Sequence, residues 1–257
     1  MTASAYDLMP GIRRSDLWYM RQTPMHFKWH MEHPEEPTPA LIFGQAAHKY
    51  VLEPDSFFNE FMVMPKFDRR TKGGKEAYDV FMSMNEGKTP ITDEDMQKMM
   101  TMRQSLMADE QIREIMLSAT EIEAPYRWTD PETGELCKCK VDMIVTYNDM
   151  PYIVDFKTTT SCEDGAFERS CRKYGYDFQA GFYSEGVESC TLEEHGFIFI
   201  AQEKTEPYAP RLYWCDPGFV SAGRRKFHEL LRLYHECKET GNWYGYEQSD
   251  LYEENYD

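Results

Sequence analysis

The chain has 257 residues, of which 41% are hydrophobic and 14% aromatic, enough to bury a sizeable core; this excludes global disorder. Its formal net charge of −17 excludes binding to nucleic acid by overall attraction, so any such contact must use local basic patches. No run of about eighteen apolar residues occurs, and Met1-Thr2-Ala3-Ser4-Ala5-Tyr6-Asp7 lacks the marks of a secretory signal. No membrane partner and a cytoplasmic location are therefore expected.

Ser15 is placed to cap a first helix running through Leu17, Trp18, Tyr19 and Met20. Thr23-Pro24 breaks it, and a short helix is expected over residues 25–32. The proline-rich stretch from His33 to Pro39 reads as a loop. Thr38 or Pro39 opens another helix, carrying Phe43, Gly44, Ala46, Ala47, His48 and Val51 and ended by Pro54. Residues 57–64 are expected to form a strand. Residues 69–74 are polar, basic and glycine-containing, and read as a mobile loop. Two methionine-rich helices follow, over 75–84 and 93–117, their methionines serving as packing filler.

From residue 121 the pattern changes to strands. Residues 121–129 alternate, Asp130-Pro131-Glu132-Thr133-Gly134 turns, and two apolar runs follow, Cys139-Lys140-Val141-Asp142-Met143-Ile144-Val145 and Tyr152-Ile153-Val154-Asp155-Phe156-Lys157. Tyr147-Asn148-Asp149-Met150-Pro151 between them has turn chemistry. Helices are expected over 162–174 and 176–187, strands over 196–202 and 210–215, and a last helix from Asp216-Pro217 to about residue 238. The order predicts a single α/β domain with a mixed sheet. Its parts are a helical region over about 1–118, a sheet core over about 119–240 and an acidic tail over about 247–257.

The seven cysteines are scattered and form no C-x-x-C pair. They read as reduced, mostly buried thiols, without a disulfide framework, a structural zinc site or an iron–sulfur cluster.

The chemistry is concentrated in the two apolar runs. Asp155 and Lys157 are two apart on a strand and face the same way, while Val154 and Phe156 face into packing. A salt bridge at a sheet edge is the bland explanation. Asp142 lies thirteen residues before Asp155, so a turn near 148–151 places it opposite residues 155–157. Two carboxylates so placed can converge on one hard cation such as Mg²⁺, with Mn²⁺ as a substitute. Lys157 can then orient an attacking water and offset phosphorane charge. Glu123 on the preceding strand offers a third acid; Glu121 shares its face, and the choice between them is open. His48 on its small-residue helix can add an imidazole ligand. Gln179 and Tyr183, four apart, share one helix face.

His48, a strand glutamate, Asp142, Asp155-x-Lys157 and Gln179-x-x-x-Tyr183 occur here in one order. Together they resemble the PD-(D/E)xK nuclease superfamily, specifically its RecE-type, lambda-exonuclease-like branch of phage recombination nucleases. Ser15-Asp16-Leu17 to Pro24, Phe43-Gly44-x-x-x-His48, the turn Asp130 to Gly134 with Cys137-Lys138, and Trp243-Tyr244-Gly245-Tyr246 fit as well. Val141 stands where the motif's name has proline. The cysteine set of Cas4-like relatives is missing, which disfavours that branch.

The resemblance implies a restriction-endonuclease-like core, a central mixed sheet flanked by helices with an N-terminal helical part. It implies metal ligands at His48, Asp142, Asp155 and the Phe156 carbonyl, with Lys157, Glu123, Gln179 and Tyr183 also in the catalytic set. The implied activity is 5′-to-3′ digestion of double-stranded DNA ends by a homo-oligomeric ring, leaving 3′ tails for a single-strand annealing protein. Such an acidic chain needs a local channel for DNA, for which Arg69, Arg70, Lys72, Lys75, Arg224, Arg225 and Lys226 are the candidates. The acidic C-terminus is the candidate dock for the annealing partner. A structure-specific or restriction-like endonuclease, and a catalytically idle nucleic-acid- or protein-binding module, are the competing readings.

Overall fold

The computed structural model describes residues 5–34 and 36–248, so the acidic tail beyond Gln248 lies outside the described residues. The chain opens with α1 (Ala5–Leu8), β1 (Ile12–Arg13), α2 (Arg14–Leu17), a 3-10 turn over Trp18–Arg21, and α3 (Pro24–Glu32). Ser15 does not cap the first helix. Instead the Asp16 carboxylate accepts from the Arg13 N–H at 3.3 Å and from its guanidinium at 2.9 Å, which starts α2 two residues earlier. Thr23 and Thr38 each accept a first-turn N–H, capping α3 and α4 (Pro39–Leu52), and a proline follows both.

The expected strand over 57–64 divides into α5 (Phe57–Glu60) and β2 (Phe61–Met64). One helical turn brings Phe57 and Phe61 into a stack with centroids 5.1 Å apart, a contact a strand would forbid. α6 (Lys72–Met84) begins inside the expected loop, because the Thr71 hydroxyl caps it through the Gly74 N–H at 3.0 Å. β3 (Thr89–Thr92), not foreseen, pairs parallel with β2. The expected helix over 93–117 breaks into α7 (Asp93–Ala108) and α8 (Glu110–Leu117). Asp109 separates them by accepting the Ile112 N–H at 2.9 Å. Met96, Met99 and Met102 of α7 are buried, as packing filler should be, but α6 buries none of its residues and its Met84 is exposed, against the expectation for that helix.

The second half comprises β4 (Ala119–Thr129), β5 (Leu136–Tyr147), β6 (Met150–Thr159), α9 (Asp164–Tyr174), α10 (Tyr176–Thr191), β7 (Gly196–Glu203), β8 (Pro210–Cys215) and α11 (Pro217–Thr240). The strands form one mixed sheet in the order β4-β5-β6-β7-β8, with β1 also beside β5. β6 and β7 run parallel, and α9 and α10 supply the crossover such a pair requires. The remaining pairs are antiparallel, except β1 with β5. Phe178, Phe182 and Phe227 of α10 and α11 pack on one sheet face. Val51, Leu52, Leu106, Ile112 and Ile115 pack on the other, against Val154, Phe156, Ile198 and Ile200. Among the described residues no helix is long and apolar enough to cross a membrane.

Two features of this sheet prepare the site. First, α10 and α11 touch backbone to backbone: a Cβ on Gly223 would fall 1.7 Å from the Asp177 carbonyl oxygen, so only glycine fits there. This contact fixes how α10 lies over the sheet. Second, β4 lines one edge of β5, and the other edge is shared by β1, at Cys137 and Lys138, and β6, from Met143 onward. Between β1 and β6 that edge of β5 has no strand beside it. Asp142 borders this gap.

Candidate active site

β5, which borders the gap, and β4 on its other edge are irregular at the same place. Ile122 pairs Met143 and Ala124 pairs Val141, so the register continues, yet Glu123 and Asp142 between them drop out of the ladder. Glu123 takes φ = +54°, a left-handed conformation rare for a non-glycine residue in a strand. In β5, Cys137, Cys139 and Val141 face the α10 side, whereas Met143 and Val145 face the α8 side, so the strand changes face at Asp142. Backbone strain of this kind persists where surrounding structure enforces it, and it gathers at functional sites.

Asp142 then replaces the missing strand pairing with its own side chain, Oδ2 accepting the Phe156 N–H at 2.8 Å. The register of Met143 with Val154 sets Asp142 opposite Asp155, within the span expected from the turn. α4 brings His48, whose Nε2 lies 2.8 Å from Asp142 Oδ2 and whose Nδ1 lies 3.5 Å from Glu123 Oε1. The buried Ala46 and Ala47 seat that helix. Gly44 is not demanded by a close approach, since a Cβ there would meet only Thr158 Oγ1, at 3.8 Å.

Asp155 is 1% exposed. Its Oδ1 accepts from the Gln179 side-chain amide of α10, and its Oδ2 lies 2.6 Å from Lys157 Nζ. The Lys157 ammonium is thus the charge partner of Oδ2. Lys157 Nζ also sits 5.3 Å from the Tyr176 ring centroid. Tyr183, one turn beyond Gln179, is half-buried. Of the two candidate strand acids, the geometry brings in Glu123; Glu121 accepts from the Tyr126 hydroxyl at 3.0 Å instead.

The environments push the two aspartates apart. Burial raises the Asp142 carboxyl, but His48, Lys157 and the Phe156 N–H outweigh it and hold Asp142 below the usual carboxylate value. Burial also dominates at Asp155; with Asp142 adding to it and Lys157 only partly offsetting it, Asp155 is pushed up to about 6. Burial pulls the His48 imidazole down, yet the carboxylates around it, Asp142 first, leave it above its ordinary value. Burial, then the charges of Asp155 and Asp142, push the Tyr183 hydroxyl well up, so at neutral pH it stays protonated.

The ligating atoms of His48, Glu123 and Asp142 all lie within 4.8 Å of one another. Glu123 Oε1 and Asp155 Oδ2 are buried without a hydrogen bond. The Lys157 ammonium compensates Asp155 Oδ2, but leaving the Glu123 acceptor open is costly, and a hard cation bound by oxygen would satisfy it. The convergent donor set, one imidazole and the carboxylates of Glu123 and Asp142, fits a divalent metal, while Asp155, engaged by Gln179 and Lys157, stands beside that cluster rather than in it.

The expected basic residues divide into two groups. Arg69, Arg70, Lys72 and Lys75 are exposed around the start of α6, with the Arg69 guanidinium 4.2 Å from the Tyr78 ring centroid. Arg224 and Lys226 are engaged within the protein, Arg224 with Glu185 and Glu188, Lys226 with Asp177; only Arg225 of that run lacks such a carboxylate. Three residues near the site had no role in the sequence reading. Lys140 contacts Glu123 Oε2. Arg14 donates to the Tyr174 and Gly175 carbonyls at the start of α10. Tyr176 underlies Lys157. Lys140 alone had a detectable signal, because it shares a strand face with Asp142 by the two-residue period.

Comparison with known proteins identifies the domain and its fold. The family described as "PDDEXK-like domain of unknown function (DUF3799)" matches residues 14–255. The chain belongs to this family. The PDDEXK-like domain therefore accounts for the mixed sheet and its flanking helices, and the protein carries a nuclease-type domain. A crystal structure of a protein from Eubacterium rectale, provisionally designated an exonuclease, is similar in fold. Its TM-score is 0.57 at 13% identity, over 97% of each chain. The structure of SSO0001 aligns more loosely, with a TM-score of 0.38 and 12% identity over 91% of this chain and 79% of that one. No curated protein matches the sequence significantly.

Proposed function

We propose that the protein is a metal-dependent exodeoxyribonuclease that digests linear double-stranded DNA from 5′ ends and leaves 3′ single-stranded tails. The observation that carries this reading is the convergence of His48, Glu123 and Asp142, with Asp155 opposite Asp142 and paired to Lys157. Asp142, Asp155, His48, Glu123 and the Phe156 carbonyl would hold Mg²⁺, or Mn²⁺ in its place. The carbonyl is suited because the Phe156 N–H already points to Asp142, and in a strand a residue's N–H and C=O point to the same side. When bound, the cation supplies an acidified water and charge neutralisation at the phosphate.

The chain's own groups do the rest. Lys157 orients the attacking water and offsets charge developing on the phosphorane oxygens. Gln179 fixes the Asp155 carboxylate through Oδ1, and Tyr183, protonated at neutral pH, lies one helical turn along from it. The exposed cations Arg69, Arg70, Lys72 and Lys75 supply backbone contacts to DNA, which such an acidic chain must make locally. The resemblance to the phage recombination branch supports a homo-oligomeric ring and transfer of the 3′ tail to an annealing protein.

The test uses linear duplex labelled at either 5′ or 3′ ends, with Mg²⁺ and with EDTA. Mg²⁺-dependent early release of the 5′ label, with covalently closed circles spared, is the expected result. Cutting of closed circles would move the protein to the endonucleases, and binding without cleavage under Mg²⁺ or Mn²⁺ would make it a binding module. Lys157→Ala is expected to lower the rate by about 10²–10³ while leaving DNA binding nearly intact, as loss of one transition-state donor does. Wild-type digestion rates in that variant would reject the role given to Lys157.

A further inference from the structure

Lys140 lies on β5, two residues before Asp142. Its ammonium holds Glu123 by Oε2. The opposite oxygen, Oε1, is the buried one with no hydrogen bond, 3.5 Å from His48 Nδ1. The left-handed backbone at Glu123 sets only the direction in which its side chain leaves the strand. Three further side-chain torsions decide where the carboxylate ends, and the lysine contact settles them.

We propose that Lys140 is a positioning residue: it anchors one oxygen of Glu123 so that the other is presented, with His48 and Asp142, to a divalent cation. The inference rests on the metal-site reading above. It assigns Lys140 an effect on metal affinity, through Glu123, without contact to DNA or to the reacting atoms. Groups that orient a metal ligand from behind typically alter affinity by about 10–100-fold when removed. A competing effect has the opposite sign. An ammonium repels a divalent cation, so a lysine that merely neutralised Glu123 would weaken metal binding, and its removal would tighten it.

Mn²⁺ binding to the metal-free protein, followed by the electron spin resonance of free Mn²⁺, separates the two. Lys140→Met keeps the aliphatic stem but no donor, and is expected to raise the Mn²⁺ Kd about tenfold or more. Lys140→Arg restores a charged donor and is expected to stay within about threefold of the wild type. Unchanged or tighter binding in Lys140→Met would overturn the proposal, and so would equal loosening in both variants. Melting curves in EDTA complete the test. A purely structural lysine would lower the melting temperature of Lys140→Met and leave its Mn²⁺ Kd alone, which also overturns it. If the wild type itself takes up no Mn²⁺, the metal site falls and this inference with it. Normal uptake by the wild type with an unaltered Kd in Lys140→Met removes only Lys140.

Discussion

Asp155→Asn is expected to abolish Mg²⁺-dependent digestion, by at least about 10³-fold, while raising the melting temperature of the metal-free protein at pH 7. The two effects share one cause. Asp155 is 1% exposed, and burial pushes its carboxyl up to about 6. Its folded pKa is thus above the value near 4 expected for the unfolded chain. The stability it contributes is present below about pH 4 and is lost as pH rises through about 6. Asparagine keeps an acceptor for Gln179 and has no charge to bury, so the variant escapes the loss. Its advantage over the wild type in EDTA is therefore several degrees at pH 7 and close to zero at pH 4. Thermal melts of both proteins across that range check it; an Asn variant less stable than the wild type by the same margin at both ends would sink it. Saturating Mn²⁺ should reverse the ranking, because only the intact site gains binding energy.

At Glu123 the expectation concerns backbone and chemistry separately. Glu123→Ala and Glu123→Gly both remove the carboxylate, and each is expected to lose about 10²-fold or more in activity. Their stabilities should differ in an unusual order. Inside an ordinary strand, glycine is less stable than alanine by roughly 0.5–1 kcal/mol. At φ = +54° alanine keeps the strain and glycine relieves it, so Glu123→Gly should be the more stable by about 1 kcal/mol. Urea denaturation of the pair in EDTA reads this difference directly. Alanine being the more stable would mean that the left-handed conformation at Glu123 is not held in solution.

The sheet core was more legible in the sequence than the N-terminal half. β5 and β6 announce themselves by apolar runs joined by a turn, and their pairing follows from chain connectivity alone. Asp155 and Lys157 share a face because a strand has a two-residue period, and Gln179 and Tyr183 share one because a helix brings residues four apart together. Asp109 and β3 were not legible. Asp109 is a polar residue inside a helical pattern, and only its side-chain cap shows that the helix is broken there. β3 is a four-residue strand whose pairing with β2 depends on a distant segment. The run Arg224 to Lys226 looked like a DNA contact because the acids that occupy two of its members lie on another helix.

The sequence by itself therefore determined the acid–acid–lysine constellation, the strands that bear it and the alternation that buries Val154 and Phe156 behind it. Each of these depends on local period and short connections. The tertiary structure decided which glutamate joins the site, that β5 changes face at Asp142, that Lys140 holds Glu123, and that Asp155 is sealed under Gln179. These depend on segments tens to about a hundred residues apart meeting at one gap in the sheet, and on a strained backbone held by that packing. No residue period encodes either.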